Sequence, residues 1–335
     1  MAQTNREWEN RIGRRLKLRD LHILSTVVQW GSMAKAAAQL AMSQPAVSEA
    51  IANLEDALRV RLLDRSSRGI EPTNYAHALL KRGHVVFDEL RQGIRDIEFL
   101  ANPTVGEVRV ASSELFAAGL LPAAIDRLSR RYPQIVVRVV QANTATLEFR
   151  ELRERTVDLV LARMHGSFGE EDLDIEVLSY DRHFVVVGTR SRWARRRKVA
   201  LSELVNEPWI FPSTQVIRAL ITEAFKAHGL EVPRERVSAG SILLRNHLLA
   251  TGLFLDVLPD SVLRYNAKQW SLKALPIDLG VQPRSIAIVT LKNRTLSPVV
   301  QLFVEQVRAV AKTMFAPSGS KRGARGKADR APPNA

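Results

Sequence analysis

Between Ser43 and Ser48 the chain reads "SQPAVS", and its polar members are of types that can meet a nucleic acid. Gln44 offers a donor and an acceptor side by side for adenine, and Glu49 just downstream can accept from cytosine N4. Ser43 can cap a helix and, with the first amides, face phosphate, while Ser48 carries a hydroxyl one turn on. Val47, Ala50 and Ile51 are needed on an apolar face, which leaves Gln44, Pro45, Ser48 and Glu49 on the other. Glu49 reads equally as a base contact and as a solvated side chain that repels phosphate. Ser32 can hydrogen-bond a phosphate, although capping is its safer role, and Lys35 one turn later can neutralise another. Arg65 and Arg68 suit phosphate or a narrow minor groove, whose potential draws a long cation.

A second set of residues stands where apolar, strand-like runs end. Ser112 and Ser113 follow "VRVA", Asn143 and Thr144 follow "VVQA", Arg163 follows "DLVLA", and Ser213 and Thr214 follow "WIFP". In open α/β sheets ligands bind at the carboxyl ends of strands, where small polar groups and helix N-termini meet an anion or a hydroxyl. Arg163 could pair with a ligand carboxylate or bridge two lobes. For the serines and threonines, helix capping is an equal alternative. His77 and His84 share a helical face with no third ligand nearby, so they read as surface and no metal site is expected.

The elements that must position these residues are legible in periodicity. From Leu18, "LRDLHILSTVVQW" places Leu18, Leu21, Leu24, Val27 and Val28 on one helical face, and Gly31 supplies a stop. A second helix, "MAKAAAQL", follows Ser32, and a third runs from about Ser43 to Leu58. Pro45 falls in its first turn, where the missing N–H would have no helical partner. Two helices joined by so short a turn form a helix-turn-helix. "VRLLDRSSRGIEPT" reads as a two-stranded wing with Arg65 and Arg68 near its tip. From Thr73 to about Ala101, Leu80, Gly83, Phe87, Leu90, Ile94 and Ile97 keep 3-4 spacing, the seam of a short coiled coil, which predicts dimerisation. "NPTVGE" marks a boundary, and beyond it strands alternate with helices, including one over "ATLEFRELRERT", which predicts a mostly parallel α/β sheet.

Composition bounds the function. With 335 residues, 46% of them hydrophobic, the chain has room for two or three domains, and its zero cysteines exclude disulfides and thiolate chemistry. No apolar run is long enough for a membrane span, and the polar start lacks a signal-peptide core, so a cytoplasmic protein with no membrane partner is expected. A net charge of +14 attracts polyanions, most simply nucleic acid. Yet residues 1–72 hold 11 basic against 8 acidic residues, so the charge does not by itself locate a DNA site. Six basic residues lie in Arg190–Lys198, which reads more readily as a solvated surface loop than as a second DNA site, and the last stretch, 316–335, has the composition of a disordered basic tail. Motifs for acyl, phosphoryl, hydride or zinc-dependent chemistry are absent, so no catalytic residues and no cofactor are expected.

The N-terminal segment resembles the LysR-type bacterial transcriptional regulators. The residues that carry the resemblance are Leu18, Leu21, Gly31, Ser32, Ala36, Ala37, Leu40, the "SQPAVS" run, Ile51, "NLE" at 53–55, Leu58, Leu62 and Arg65. Downstream, "LPAAIDRLSRRYP", "VDLVLA", "ATGLFLDVLP" and "LSPVVQLFVEQVR" look like the family's effector region, and "GIEPTNYAHALLKRG" and "PWIFP" look like the subgroup of galactose-binding-protein and protocatechuate-pathway regulators. The departures are Leu24 and Leu63 for a usual Phe, and Arg59 for a frequent Gly. The resemblance implies an N-terminal, mainly α winged helix-turn-helix (18–72) after a short extension (1–17). A long linker helix (73–101) follows, dimerising through Leu80, Phe87, Leu90, Ile94 and Ile97. An α/β, type 2 periplasmic-binding-like effector domain (106–315) completes the fold, with one lobe from 106–178 and 284–315 and the other from 179–283. It further implies a homotetramer on double-stranded promoter DNA, with RNA polymerase admitted as a further partner. A small organic effector, sugar-derived or a carboxylate, would sit between the lobes. An intracellular solute-binding or sensor protein of the same fold is the alternative, which the helix-turn-helix argues against.

Overall fold

This computed structural model describes residues 15–66, 69–142, 148–164, 170–213 and 215–316. The chain divides into two compact units, residues 1–94 and 95–335.

In the first unit, α1 (Leu18–Trp30), α2 (Met33–Gln39) and α3 (Gln44–Leu58) surround one core, and β1 (Leu63–Ser66) pairs antiparallel with β2 (Gly69–Pro72). Helix starts follow from caps: the Ser32 Oγ accepts from the Lys35 N–H at 3.4 Å, and the Ser43 Oγ from the Ala46 N–H at 3.3 Å, with Pro45 in the first turn. Leu24 and Leu63 are buried, so leucine serves this core in both places. Leu18, expected inside, is exposed, and Ile23 is buried instead. Glu55, on α3, accepts from the N–H groups of Leu62 and Leu63 at 2.7 and 3.2 Å, which ties the third helix to the start of the wing. α4 (Asn74–Ala101) has 28 residues, about 42 Å at 1.5 Å each.

In the second unit one sheet has the order β4-β3-β5-β12-β6, from Gln134–Gln141, Val105–Ser112, Leu159–Met164, Arg284–Leu291 and Leu173–Asp181. Helices α5 (Glu114–Ala117) and α6 (Leu120–Arg131) follow β3, α7 (Arg150–Arg153) follows β4, and β7 (His183–Gly188) opens a second sheet. That sheet has the order β11-β7-β10-β8-β9, with β8 Trp209–Phe211, β9 Glu235–Ser238, β10 Leu255–Pro259 and β11 Leu272–Ala274. It carries α8 (Gln215–Ala227), α9 (Ile242–Ala250) and α10 (Asp260–Asn266), and α11 (Pro298–Met314) returns to pack with α6 in the core of the first sheet.

Both sheets are mixed, where a mostly parallel one was expected. β3 is parallel to β4 and β5, but β12 runs antiparallel to β5 and β6, and β7 antiparallel to β10 and β11. The chain crosses between sheets twice, once from β6 into β7 and once from β11 into β12, and the returning strand enters reversed. The helix expected over 145–156 reduces, among the described residues, to the single turn of α7. Phe149 and Arg155 on either side have φ of +44° and +57°, which stops helical propagation.

Two buried ion clusters hold the second unit. Asp158 is fully buried and receives Arg109 at 2.8 Å, Arg294 at 3.0 Å and Arg95 at 3.8 Å. Arg245 on α9 forks onto Asp256 on β10 at 2.7 and 2.8 Å. Burial pushes the Asp256 carboxyl up, while the guanidinium pulls it back.

Candidate functional site

On the first unit, Val47, Ala50, Ile51 and Leu54 bury one face of α3 and leave Gln44, Pro45 and Glu49 exposed, with Ser48 half-buried beside them. These four occupy the first six positions of α3, so they share its N-terminal turns. The Ser43 hydroxyl is committed to the Ala46 N–H and the Ser32 hydroxyl to the Lys35 N–H, so both serines cap, and Lys35 is exposed one turn into α2. A capped N-terminus directs amide hydrogens and the positive end of the macrodipole outward beside these side chains. Arg65 lies on β1, where nothing is described of its side chain, and Arg68 lies outside the described residues.

The expected seam of α4 divides in two. Leu80 is buried in its own unit's core, and a Cβ on Gly83 would stand 2.9 Å from Leu21 Cδ2, so α4 lies tightly on α1. Phe87 is half-buried, edge-on to the His22 ring at 5.9 Å. Beyond it the apolar face is open: Leu90 is 47% exposed, Ile94 57% and Ile97 68%.

At the carboxyl ends of the first sheet, Ser112 on β3 and Arg163 on β5 project to the same face, since Ser112 pairs with Leu161 two residues before Arg163. The Ser112 Oγ is buried without a hydrogen-bond partner among the described residues. Ser113 heads α5, but its hydroxyl makes no capping bond. The Arg163 guanidinium lies 4.5 Å from the Phe116 ring centroid, and its Nη2 donates to Asp181 Oδ2 at 2.8 Å and Ser261 Oγ at 2.9 Å. Ser261 in turn donates its hydroxyl to Asp181 Oδ2 at 2.6 Å and its N–H to Oδ1 at 3.1 Å. Arg163 Nε and Nη1 are buried without partners among the described residues. Arg163 therefore bridges the two sheets through α10 while two of its nitrogens stay without a partner among the described residues.

His183, the first residue of β7, was not singled out by sequence reasoning. It lies where the chain passes from one sheet to the other, and neither ring nitrogen has a partner among the described residues. Burial, with Arg163 and Arg284 nearby, lowers its pKa to about 4 against the opposing pull of Asp181. Only its place directly after "YDR", between two apolar runs, signals it. Two further contacts join the sheets: the Glu114 carboxylate accepts from the Ile242 N–H at 2.9 Å and the Ser241 hydroxyl at 3.4 Å, and Asn266 donates to the Ala118 carbonyl. Ser213 is exposed at the end of β8 and approaches Gly240, where a Cβ would stand 2.8 Å from its Oγ. Asn143, Thr144 and Thr214 lie outside the described residues. Among the described residues no group of His, Asp or Glu could hold a metal ion, and no helix is long and apolar enough to cross a membrane.

Comparison with known proteins gives two family matches. Residues 18–77 match the bacterial regulatory helix-turn-helix protein, lysR family, and residues 101–312 match the LysR substrate binding domain. The chain is 25% identical over 301 residues to the HTH-type transcriptional regulator GbpR of Azospirillum brasilense, covering 89% of this chain and 88% of the relative. Its fold is similar to a full-length OxyR variant from Pseudomonas aeruginosa, with a TM-score of 0.60, 20% identity, and 89% and 95% of the two chains covered. It is also similar to full-length CbnR complexed with its target DNA, with a TM-score of 0.51, 23% identity, and 89% and 100% covered.

Proposed function

The chain belongs to the LysR family of DNA-binding transcriptional regulators, and from that premise we propose that α3 reads promoter DNA through Gln44, Pro45, Ser48 and Glu49. The family is one of regulators and not of enzymes, and its C-terminal domain binds a small-molecule effector. The observation that carries the reading is the exposure of these four side chains on the N-terminal turns of a capped helix whose other face is core. A recognition helix enters the major groove in that way, with base contacts from its first turns and phosphate contacts from caps and flanking cations. Ser32, Lys35, Ser43, Arg65 and Arg68 take the phosphate and minor-groove roles.

The open half of α4, with Leu90, Ile94 and Ile97, is the surface on which a second copy docks, with half-buried Phe87 at its edge and Leu80 supporting it from within. Dimers pair into tetramers on double-stranded DNA, and the DNA part of this reading is supported by the likeness to CbnR complexed with its target DNA. In this division residues 18–72 bind DNA, 73–101 link and dimerise, and 106–315 hold the effector.

The effector is a small organic carboxylate or a sugar derivative that meets Ser112, Ser113 and Arg163; Asn143, Thr144, Ser213 and Thr214 are further candidates from their sequence positions alone. Arg163 supports an oxygen-rich ligand, because two guanidinium nitrogens and the Ser112 hydroxyl have no partner among the described residues. A ligand that competes with Asp181 for Arg163 would change how β5 is tied to α10, and so bias one lobe arrangement over another.

The test is binding of the full chain to the DNA upstream of its own gene. Gln44→Ala and Arg65→Ala are expected to weaken it, the first with altered sequence preference and the second uniformly. Unchanged affinity and preference in both would overturn the proposed DNA surface.

A further inference from the structure

The basic run after β7 is exposed, as a solvated loop would be, but it is anchored at both ends. Ser191 caps a 3-10 turn, Arg192–Arg195, by accepting from the Trp193 N–H at 3.4 Å. Trp193 and Ala194 are buried in the second sheet's core together with Val199, Leu201 and Leu204, so apolar anchors clamp the segment on both sides of its cations. The Trp193 indole N–H donates to Glu207 at 3.0 Å, the Lys273 ammonium holds the Ala194 carbonyl, and the guanidiniums of Arg192 and Arg196 lie 5.0 and 5.8 Å from the indole ring.

Among the described residues Glu207 is the only carboxylate ion-paired there, and it is taken by Arg192 and the indole, while Glu203 accepts from the Ala200 N–H. Arg195, Arg196, Arg197 and Lys198 are exposed in succession, and none makes an ion pair among the described residues. A fixed row of like charges repels itself, and a polyanion relieves that repulsion. Three of the four are guanidiniums, whose planar fork fits phosphate oxygens in pairs.

We propose that Arg195–Lys198 is a second DNA contact, carried by the effector domain, that grips the phosphate backbone without reading bases. DNA is favoured over other polyanions because, on the reading above, the first unit already holds DNA, which raises its local concentration around the rest of the same chain. The inference rests on that reading for its partner. It predicts affinity without specificity, since phosphate contacts carry no sequence information directly.

The experiment compares the full-length chain with a variant carrying Arg195→Gln, Arg196→Gln, Arg197→Gln and Lys198→Gln. A second variant carries Arg195→Lys, Arg196→Lys and Arg197→Lys. Affinities are measured against salt concentration on the upstream DNA and on unrelated duplex DNA. The Gln variant is expected to lower the slope of log affinity against log salt by up to about 3.6, at about 0.9 per phosphate contact. The drop should be equal on both DNAs, with the ratio between them unchanged, and the Lys variant should keep the wild-type slope. Equal slopes for wild type and Gln variant would overturn the proposal and turn the surface towards an acidic protein partner. A loss shared by the Lys variant would also overturn it, by tying the effect to folding and not to charge. If wild type fails to prefer the upstream DNA, the base-reading role of α3 fails, while the slopes on unrelated DNA still decide the loop.

Discussion

Arg59 ends α3 with φ of +57°, a left-handed conformation that costs an L-residue about 1–2 kcal/mol and glycine little. Arg59→Gly is therefore expected to stabilise the first unit by about 1 kcal/mol, read as a higher urea midpoint at unchanged slope. His183 behaves in the opposite sense to a surface histidine. Its folded pKa, about 4, lies below the ordinary 6.5, so on acidification the unfolded chain takes up the proton first. Stability is present above about 6.5 and is lost as pH falls towards 4, by about 2 kcal/mol between neutrality and pH 5. His183→Gln should flatten that dependence, and equal acid sensitivity in urea titrations of both proteins would contradict the burial of the ring. The residues of α3 were legible because helix caps, proline and periodicity are local signals. Asp181, His183 and Ser261 were not, because their partners lie on other elements: Ser261 is 98 residues from Arg163, and no local pattern joins them.

At the scale of elements, α4 shows what periodicity can and cannot decide. Its 3-4 spacing announced an apolar seam, but not that Leu80 and Gly83 would be used up against α1 while Leu90, Ile94 and Ile97 stayed open. The two halves should respond differently to a charge. Ile94→Lys with Ile97→Lys is expected to shift dimers to monomers in sedimentation without unfolding either, whereas Leu80→Lys should unfold the first unit. A double lysine variant that remains fully dimeric would move the interface elsewhere. The pairing of Arg245 with Asp256 makes a sharper case: removing the guanidinium leaves a buried carboxylate alone, so Arg245→Ala should cost about 3–5 kcal/mol in the second unit. β12 was legible to the residue, Arg284–Leu291, because it is a short β-prone apolar run whose centre is buried on both faces, but its direction was not. Strand direction depends on crossings between sheets, and no local pattern encodes those. The missing helix turns around α7 fail for a similar reason, since Phe149 and Arg155 take left-handed φ with no glycine or asparagine to signal it.

At the scale of the whole molecule, charge, core and contact surface are separately placed. Residues 18–72 balance their charges and contribute nothing to the net charge of +14, so the proposed reading of DNA rests on which side chains α3 leaves outside. The effector domain adds Arg163, which Asp181 holds and whose Nε and Nη1 have no partner among the described residues and are the groups proposed to meet a ligand. A ligand that binds only the folded chain raises its melting temperature increasingly as its concentration exceeds its Kd, so a thermal-shift screen of sugars, sugar acids and aromatic carboxylates should pick out one class. Arg163→Met should abolish that shift if the ligand is a carboxylate, and a full shift in the variant would leave Arg163 a purely internal bridge. The measurement that tests the central claim most directly is the selection of bound sequences from a randomised DNA pool by the wild-type chain and by Gln44→Ala, at equal salt. The account predicts that the variant loses discrimination at one base pair of each half-site, by about 1–3 kcal/mol, and keeps it elsewhere. The same base preferences in both proteins would contradict it.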